Sequence, residues 1–484
     1  MRRLALCALA FAVAGCGLDD KFKGADGLDL SVPDDGGSAI DLDTPAYDLS
    51  GPCVASTTSC ADASTLSTCN ADGMGATTTF CAAGCAASPT AHCKVLVPTL
   101  SVAPSDFTVA GINAVTFPAG ETRLNSDTGA IAGLVTRTAN TVNGNVEVNG
   151  GIAFHQKTVN GVTVGVFSFA DVTVSNGATL KIFGSSAVAL VSQKNFIMSG
   201  VIEARPMDGS GTICGSGALV AGPGGFAGGA AGNGGPTSMN GKPGGGMGGG
   251  GYGIVSLMVQ PSGGGGAGHF TGGGPGSCGC YQGMNQPNGT GGVAYNVAPQ
   301  GGSGGGGGGA AAGGGGGGSV QIDALGVITI GDGTSAQGIN AGACGGQGAN
   351  GAGGGGAGGR ILVEAPIVQI GSQGVLAANG GGGGGFSGTT NSDGSAGGLN
   401  NLPSYGANAS KFITAAGNGG AGDAAAGTPS LQCTSGCTNQ GLGGGGSAGF
   451  ITINAVAAPS LNAQAVLSPS LASGAASTGT ATAN

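Results

Sequence analysis

The chain has 484 residues, 113 of them glycine and none tryptophan, with 8% charged residues and a net charge of −9. Soluble domains average about 7% glycine and about 25% charged residues, so this is a composition-biased, weakly charged polymer. No basic stretch interleaves with aromatic residues, which argues against nucleic acid as a partner.

Arg2 and Arg3 precede an apolar run, Leu4 to Ala14, that is too short to span a bilayer. Val13, Ala14, Gly15 and Cys16 follow in a pattern that resembles the lipobox of bacterial lipoproteins. The resemblance implies a signal peptide at 1–15 and a mature chain beginning at Cys16, whose thiol carries the acyl anchor. Gly17, rather than an aspartate, permits outer-membrane export by the same resemblance, and the expected localisation is the outer membrane or cell surface. Residues 16–52 carry repeated aspartates from Asp19 to Asp48 and few apolar groups, so they read as an acidic, disordered tether.

Residues 53–93 hold Cys53, Cys60, Cys69, Cys81, Cys85 and Cys93. So short a segment buries too little apolar surface to fold without crosslinks, and an exported chain can form disulfides. No C-x2-C pair supports zinc, and six cysteines leave the connectivity open. The spacing, with Thr65 to Gly73 at its centre and Cys81 to Cys85 near its end, resembles small Cys-rich modules near the N-termini of myxobacterial secreted and surface proteins. That resemblance implies a surface context and no catalytic activity.

Residues 94–186 alternate in short runs such as Val146–Val148 and Val162–Val166. Asn-Gly steps at Asn143, Asn149, Asn160 and Asn176 predict hairpins. The segment is expected to cap the first turn of a repeat that begins near residue 187, because an open sheet end invites aggregation.

Residues 187–455 contain one pattern three times. Val188–Ser192 matches Val320–Ala324 and Ile361–Ala365; Phe196–Met198 matches Ile328–Ile330 and Val368–Ile370; Ile202–Ala204 matches Ile339–Ala341 and Val375–Ala377. Each copy holds three short runs of period two, the signature of strands. The repeat predicts an all-β fold, a parallel β-helix or β-solenoid with one copy per coil. Val172–Val174 with Leu180–Ile182 reads as an earlier coil, and Ile451–Ala455 as the start of a last one. Glycine-rich insertions at 205–319, 342–360 and 378–450 all leave after the third strand, so stacked coils must send them from one corner. The order of lipobox, Cys-rich module, Val172–Leu180 stretch and strand triplets alternating with glycine runs resembles a set of glycine-rich lipoproteins of myxobacteria. This implies architecture and localisation, and no reaction.

Glycine runs such as Gly304–Gly309 cannot pack side chains, yet extended polyproline-II-like glycine chains, with three residues per turn, pack closely because nothing protrudes. Collagen and calcium-binding nonapeptide patterns are missing. Cys214, Cys278 and Cys280 lie in the first insertion, Cys344 in the second, Cys433 and Cys437 in the third. Full pairing requires Cys344 to reach another insertion, most simply the first, while Cys433 and Cys437 are close enough in sequence to join each other. A metal reading of His269 with Cys278 and Cys280 is disfavoured by the Cys-x-Cys spacing. Residues 456–484, rich in alanine, serine and threonine and without charge, read as a disordered tail.

Candidate catalytic groups are few. Glu203, Asp323 and Glu364, with Arg205 and Arg360, fall at outward positions, and Asp323 and Glu364 are equivalent in consecutive copies. Stacked carboxylates suit acid–base work on polysaccharides, although solvated turn-edge residues fit the same pattern. His92, His155 and His269 have no neighbouring nucleophile motif. The reading is a non-enzymatic, acyl-anchored surface protein, structural or adhesive, without cofactor or metal. Alternatives are a polysaccharide-binding or polysaccharide-degrading β-helix, with an extracellular glycan as partner, and an ice- or surface-binding polyglycine protein.

Overall fold

A computed structural model describes residues 53–141, 144–208, 210–215, 219–233, 239–255, 261–281, 284–333, 335–386, 391–409, 414–421, 424–429 and 441–484. Residues 1–52, expected to hold a signal peptide, the lipidated Cys16 and a tether, lie outside the described residues, as do Cys433 and Cys437.

The protein is all-β, and three sheets form its frame. The first orders Glu147–Asn149, Ile152–Val159, Val162–Phe169, Ala187–Ser192, Ser319–Ala324, Arg360–Ala365, Phe450–Ala455 and Ala476–Thr480. The second runs from Ala114–Phe117 through Asp171–Val174, Phe196–Met198, Val327–Ile330 and Ile367–Ile370 to Ser460–Leu461. The third runs from Ile131–Gly133 through Gly120–Asn125, Ala178–Phe183, Val201–Glu203, Gln337–Asn340 and Gly374–Ala377 to Val466–Ser468. The chain visits the sheets in rotation, and each visit pairs in parallel with the one before. Val188, Val320, Ile361 and Ile451 stand in one register row, and Phe196, Ile328 and Val368 in another.

The rows are held by a continuous core. Leu190, Ile322, Val363 and Ile453 from the first sheet meet Phe196, Ile328 and Val368 from the second and Ile202, Ile339 and Leu376 from the third, all buried. Burying each such side chain is worth roughly 1.5–3 kcal/mol. Identical apolar positions above one another also fix register, since a one-residue slip would turn the buried set outward.

One equivalence in the repeat is corrected by this rule. Ile339 pairs with Leu376, not Val375. Leu376 and Ala378 face the core, whereas Val375 is not part of it. Both residues are apolar, so hydropathy alone does not set the phase.

Two boundaries also move. The first complete circuit of the three sheets starts at Val162–Phe169, inside the region expected to be a cap. It is entered by the hairpin Ile152–Val159 to Val162–Phe169, where Asn160 (φ 51°) and Gly161 (φ 78°) form the two-residue turn. Asn176-Gly177, by contrast, turns the corner from the second sheet to the third, because the strands on either side pair in two different sheets and not with each other. The segment 456–484, expected to be disordered, supplies a strand to each sheet. Its few apolar side chains suffice because a preformed edge provides the backbone partners and the core surface.

In the module, Thr58–Asp62, Thr65–Cys69 and Ala76–Phe80 form an antiparallel sheet. Disulfides join Cys53 to Cys69, Cys60 to Cys85 and Cys81 to Cys93. The chain then crosses the outer face of the first sheet. Leu96, Val102 and Phe107 bury against Val164, Val166, Ala189 and Val191, and Leu96–Val97 pairs with Thr482–Ala483.

Candidate functional site

All three glycine-rich insertions connect the third sheet to the first, and their described parts hydrogen-bond to one another. Segment 302–309 shows the geometry. Gly304 N–H donates to Gly245, Gly305 to Gly314 and Gly306 to Gly265; Gly307 then returns to the first neighbour at Lys242, Gly308 to the second at Ala311 and Gly309 to the third at Ser262. The carbonyls of Gly304, Gly305 and Gly306 accept from Gly250, Gly229 and Gly354, and those of Gly307 and Gly308 return to the first two of these chains at Gly253 and Gly232. Three donor neighbours and three acceptor neighbours surround one chain with a period of three residues. Every N–H from Gly304 to Gly309 is thereby paired, which extended chains need as much as strands do.

Such packing excludes side chains. A Cβ on Gly304, Gly305, Gly306, Gly307 or Gly308 would lie well inside 3.0 Å of a carbonyl oxygen of a third chain, at Ala227, Gly354, Gly251, Ala230 and Ala352 respectively. In glycine that direction carries a hydrogen, so the same approach becomes a Cα–H···O contact, individually weak but repeated throughout. The second and third insertions join the same lattice: Gly354 accepts from Gly314, Gly355 donates to Gly444, and Gly444 donates to Gly264. Cys344 of the second insertion bonds Cys214 of the first, with Cα atoms 5.5 Å apart. That pair is one of those that adjacent insertions permit. Cys278 is also in a disulfide.

The charged candidates are buried. Asp323 and Glu364 are register partners on the outer face of the first sheet, as their equivalence predicts. They are not solvated: both are 0% exposed. The strap between the module and the frame covers them. Thr99 donates from its backbone N–H (2.8 Å) and Oγ1 (2.9 Å) to Glu364 Oε2. Gln321 accepts from Ser101 N–H (3.1 Å) and donates to the Thr99 carbonyl (2.8 Å). Neither Asp323 oxygen nor Glu364 Oε1 has a hydrogen-bond partner of good geometry, although each carboxyl lies beside the other. Burial first, and the neighbouring Glu364 second, push the Asp323 carboxyl well above the usual range. A proton on Asp323 removes a buried charge and turns the carboxyl contact into a hydrogen bond.

The remaining groups have structural partners. Glu203 holds Arg205 through two bonds of 2.7 Å. Arg360 lies over the Phe450 ring at 4.6 Å and donates to Asn296 Oδ1 at 2.6 Å. His269, fully buried, stacks on Tyr295 with ring centroids 4.6 Å apart, and its Nδ1 lies 2.7 Å from the Gly358 carbonyl. Burial, reinforced by Arg360, pushes His269 down to about 3, so it is neutral in the native lattice. His155 approaches Asp106 at 3.4 Å, where Lys157 also binds at 2.9 Å. His92 is exposed in the module, its Nδ1 2.7 Å from the Thr90 carbonyl. No three of these or other described His, Cys, Asp and Glu residues form a metal-holding group. The structure also brings together Phe80, Lys94 and Lys194 in a cleft that no local motif announces, because its walls are far apart in the chain.

The lattice and the carboxyl pair can each be tested by substitution. Gly307→Ala should lower stability by about 3 kcal/mol or more, because carbonyls rather than flexible side chains must move. Gly272→Ala, where the added Cβ meets only one carbonyl oxygen at 3.3 Å, should change it by less than about 1 kcal/mol in calorimetry. For Asp323, the raised native value means that the folded chain holds a proton the unfolded chain loses above 3.8. Its contribution is therefore complete below that pH and declines as pH rises toward the native value. Asp323→Asn, permanently neutral and able to donate to Glu364, should raise the melting temperature at neutral pH by a margin that shrinks toward about pH 4; a loss of stability at neutral pH would show that Asp323 is ionised there.

No family model matches the chain, and no curated protein or solved structure matches it.

Proposed function

We propose that the protein is a non-enzymatic, acyl-anchored structural or adhesive protein of the bacterial surface. In this reading the three rotating sheets are a β-solenoid, and the insertions are a polyglycine-II-like body that projects from one corner of it. The observation that carries the reading is the six-neighbour lattice around 302–309, which commits its hydrogen bonds and close contacts to rigidity. A body of this kind offers extended, weakly charged contact faces, as suits a spacer or an adhesin. Exposed Met247, Tyr252 and Val293 stand on its described surface.

The polysaccharide-degrading alternative loses its main support, because the paired carboxyl groups lie under Thr99 rather than in an open groove. Glycan binding without hydrolysis remains compatible with the adhesive role. Anchoring rests on the resemblance at Val13–Cys16 to a lipobox and on the acidic stretch after it.

The test is cellular. In a bacterium that processes lipoproteins, the wild-type chain should enter the detergent phase and release peptides from its glycine-rich body when intact cells are treated with protease. Cys16→Ser should move it to the soluble fraction. Wild-type protein that stays soluble, or that protease reaches only after lysis, contradicts the proposal.

A further inference from the structure

The disulfide module and the corners between the first two sheets enclose a cleft of about 430 Å³, within the range of small-ligand sites. Phe80, 65% exposed, and Val95, 47% exposed, rise from the module side. Leu325 and Val327 line the opposite side, where two successive coils turn. Gly326 keeps that corner low: its N–H bonds the Lys194 carbonyl at 2.7 Å, and a Cβ there would strike the Asn195 side chain and the Lys194 carbonyl.

The charged groups around this apolar floor are all cationic. Lys94 and Lys194 both line the cleft, and among the described residues neither ammonium meets a carboxylate or a hydrogen-bond acceptor. No acidic residue lines it, in a chain with 23 acidic and 14 basic residues. Asn195 accepts from Val327 N–H through Oδ1, which leaves its amide NH2 to donate. Gln193 donates to the Val109 carbonyl, which leaves its Oε1 to accept. Side chains with apolar stems and free cationic heads, beside an exposed aromatic face, suit a ligand that is flat and apolar on one side, anionic at its rim and rich in hydroxyls.

We propose that this cleft binds a short stretch of acidic polysaccharide of the polyuronate class. The C–H face of a pyranose ring would lie on Phe80, carboxylates would meet Lys94 and Lys194, and hydroxyls would meet the Asn195 and Gln193 amides. An acyl chain would leave the four polar groups unmatched, and an acidic peptide would satisfy the lysines without using the aromatic face. The inference deepens the adhesive reading above, which it rests on, by naming the partner class.

Calorimetric titration of the full-length purified protein with a short oligogalacturonate tests it, with a neutral glucan oligomer and polyglutamate as comparators. Oligogalacturonate should bind more tightly than either. The double variant Lys94→Ala/Lys194→Ala and the single variant Phe80→Ala should each weaken binding by about tenfold, and both should keep the wild-type melting temperature, since these side chains are exposed. Absence of binding, binding that neither variant changes, or equal binding of polyglutamate with no effect of Phe80→Ala would overturn the proposal. Surface exposure and anchoring through Cys16 are read in separate assays, so failure here leaves the structural reading standing.

Discussion

The structure depends on how closely one backbone can approach another when no Cβ intervenes. In the insertions, carbonyl oxygens occupy positions where every other residue type would place a carbon. Glycine loses more backbone freedom on ordering than any other residue, so the arrangement must recover that cost from elsewhere. Each buried amide is worth about 1 kcal/mol when paired, and considerably more is lost when it is not. The sheets supply the remaining condition. Their strands hold the roots of all three insertions, where the two ends of each insertion hydrogen-bond to each other: Gly318 to Ala204, Gly359 to Ala341 and Gly449 to Ala378. The lattice therefore starts from fixed ends.

Covalent and polar reinforcement falls where this continuity is interrupted. The Cys214–Cys344 bond closes a separation of 130 residues between two insertions. The disulfide module is followed by a strap that covers the outer face of the first sheet, and the buried Glu364 and Gln321 are the posts to which the strap is tied. Groups that resemble catalytic residues in one dimension thus serve as fasteners. His269 likewise fills a space between Tyr295 and Phe450 where a neutral, flat side chain fits.

Much of the frame was legible because period-two alternation is a local signal and the repeat supplied its own comparison. The third strand of the last matched copy shows the limit: Val375, Leu376 and Ala377 are all apolar, and only contact with the core selects Leu376. Residues 456–484 were opaque for a related reason. Alanine, serine and threonine without charge look like a tail, and their strand character comes from the edge they join. The outward side of Asp323 and Glu364 was readable from alternation, whereas the strap above them comes from Thr99, more than 200 residues earlier. The cleft at Phe80, Lys94 and Lys194 had no local signal for the same reason. The pairing of Cys344 could be narrowed to the first insertion because a lone cysteine in a segment must look outside it.

The central claim is that the glycine segments are as firmly ordered as the strands that carry them. Hydrogen exchange followed by mass spectrometry measures it directly, since protected amides report paired, rarely opened backbone. Peptides spanning 301–318 and 351–359 should exchange as slowly as those from Ser319–Ala324 and Arg360–Ala365. Exchange of those glycine amides at the rate of an unfolded chain, with the strands still protected, would contradict the account.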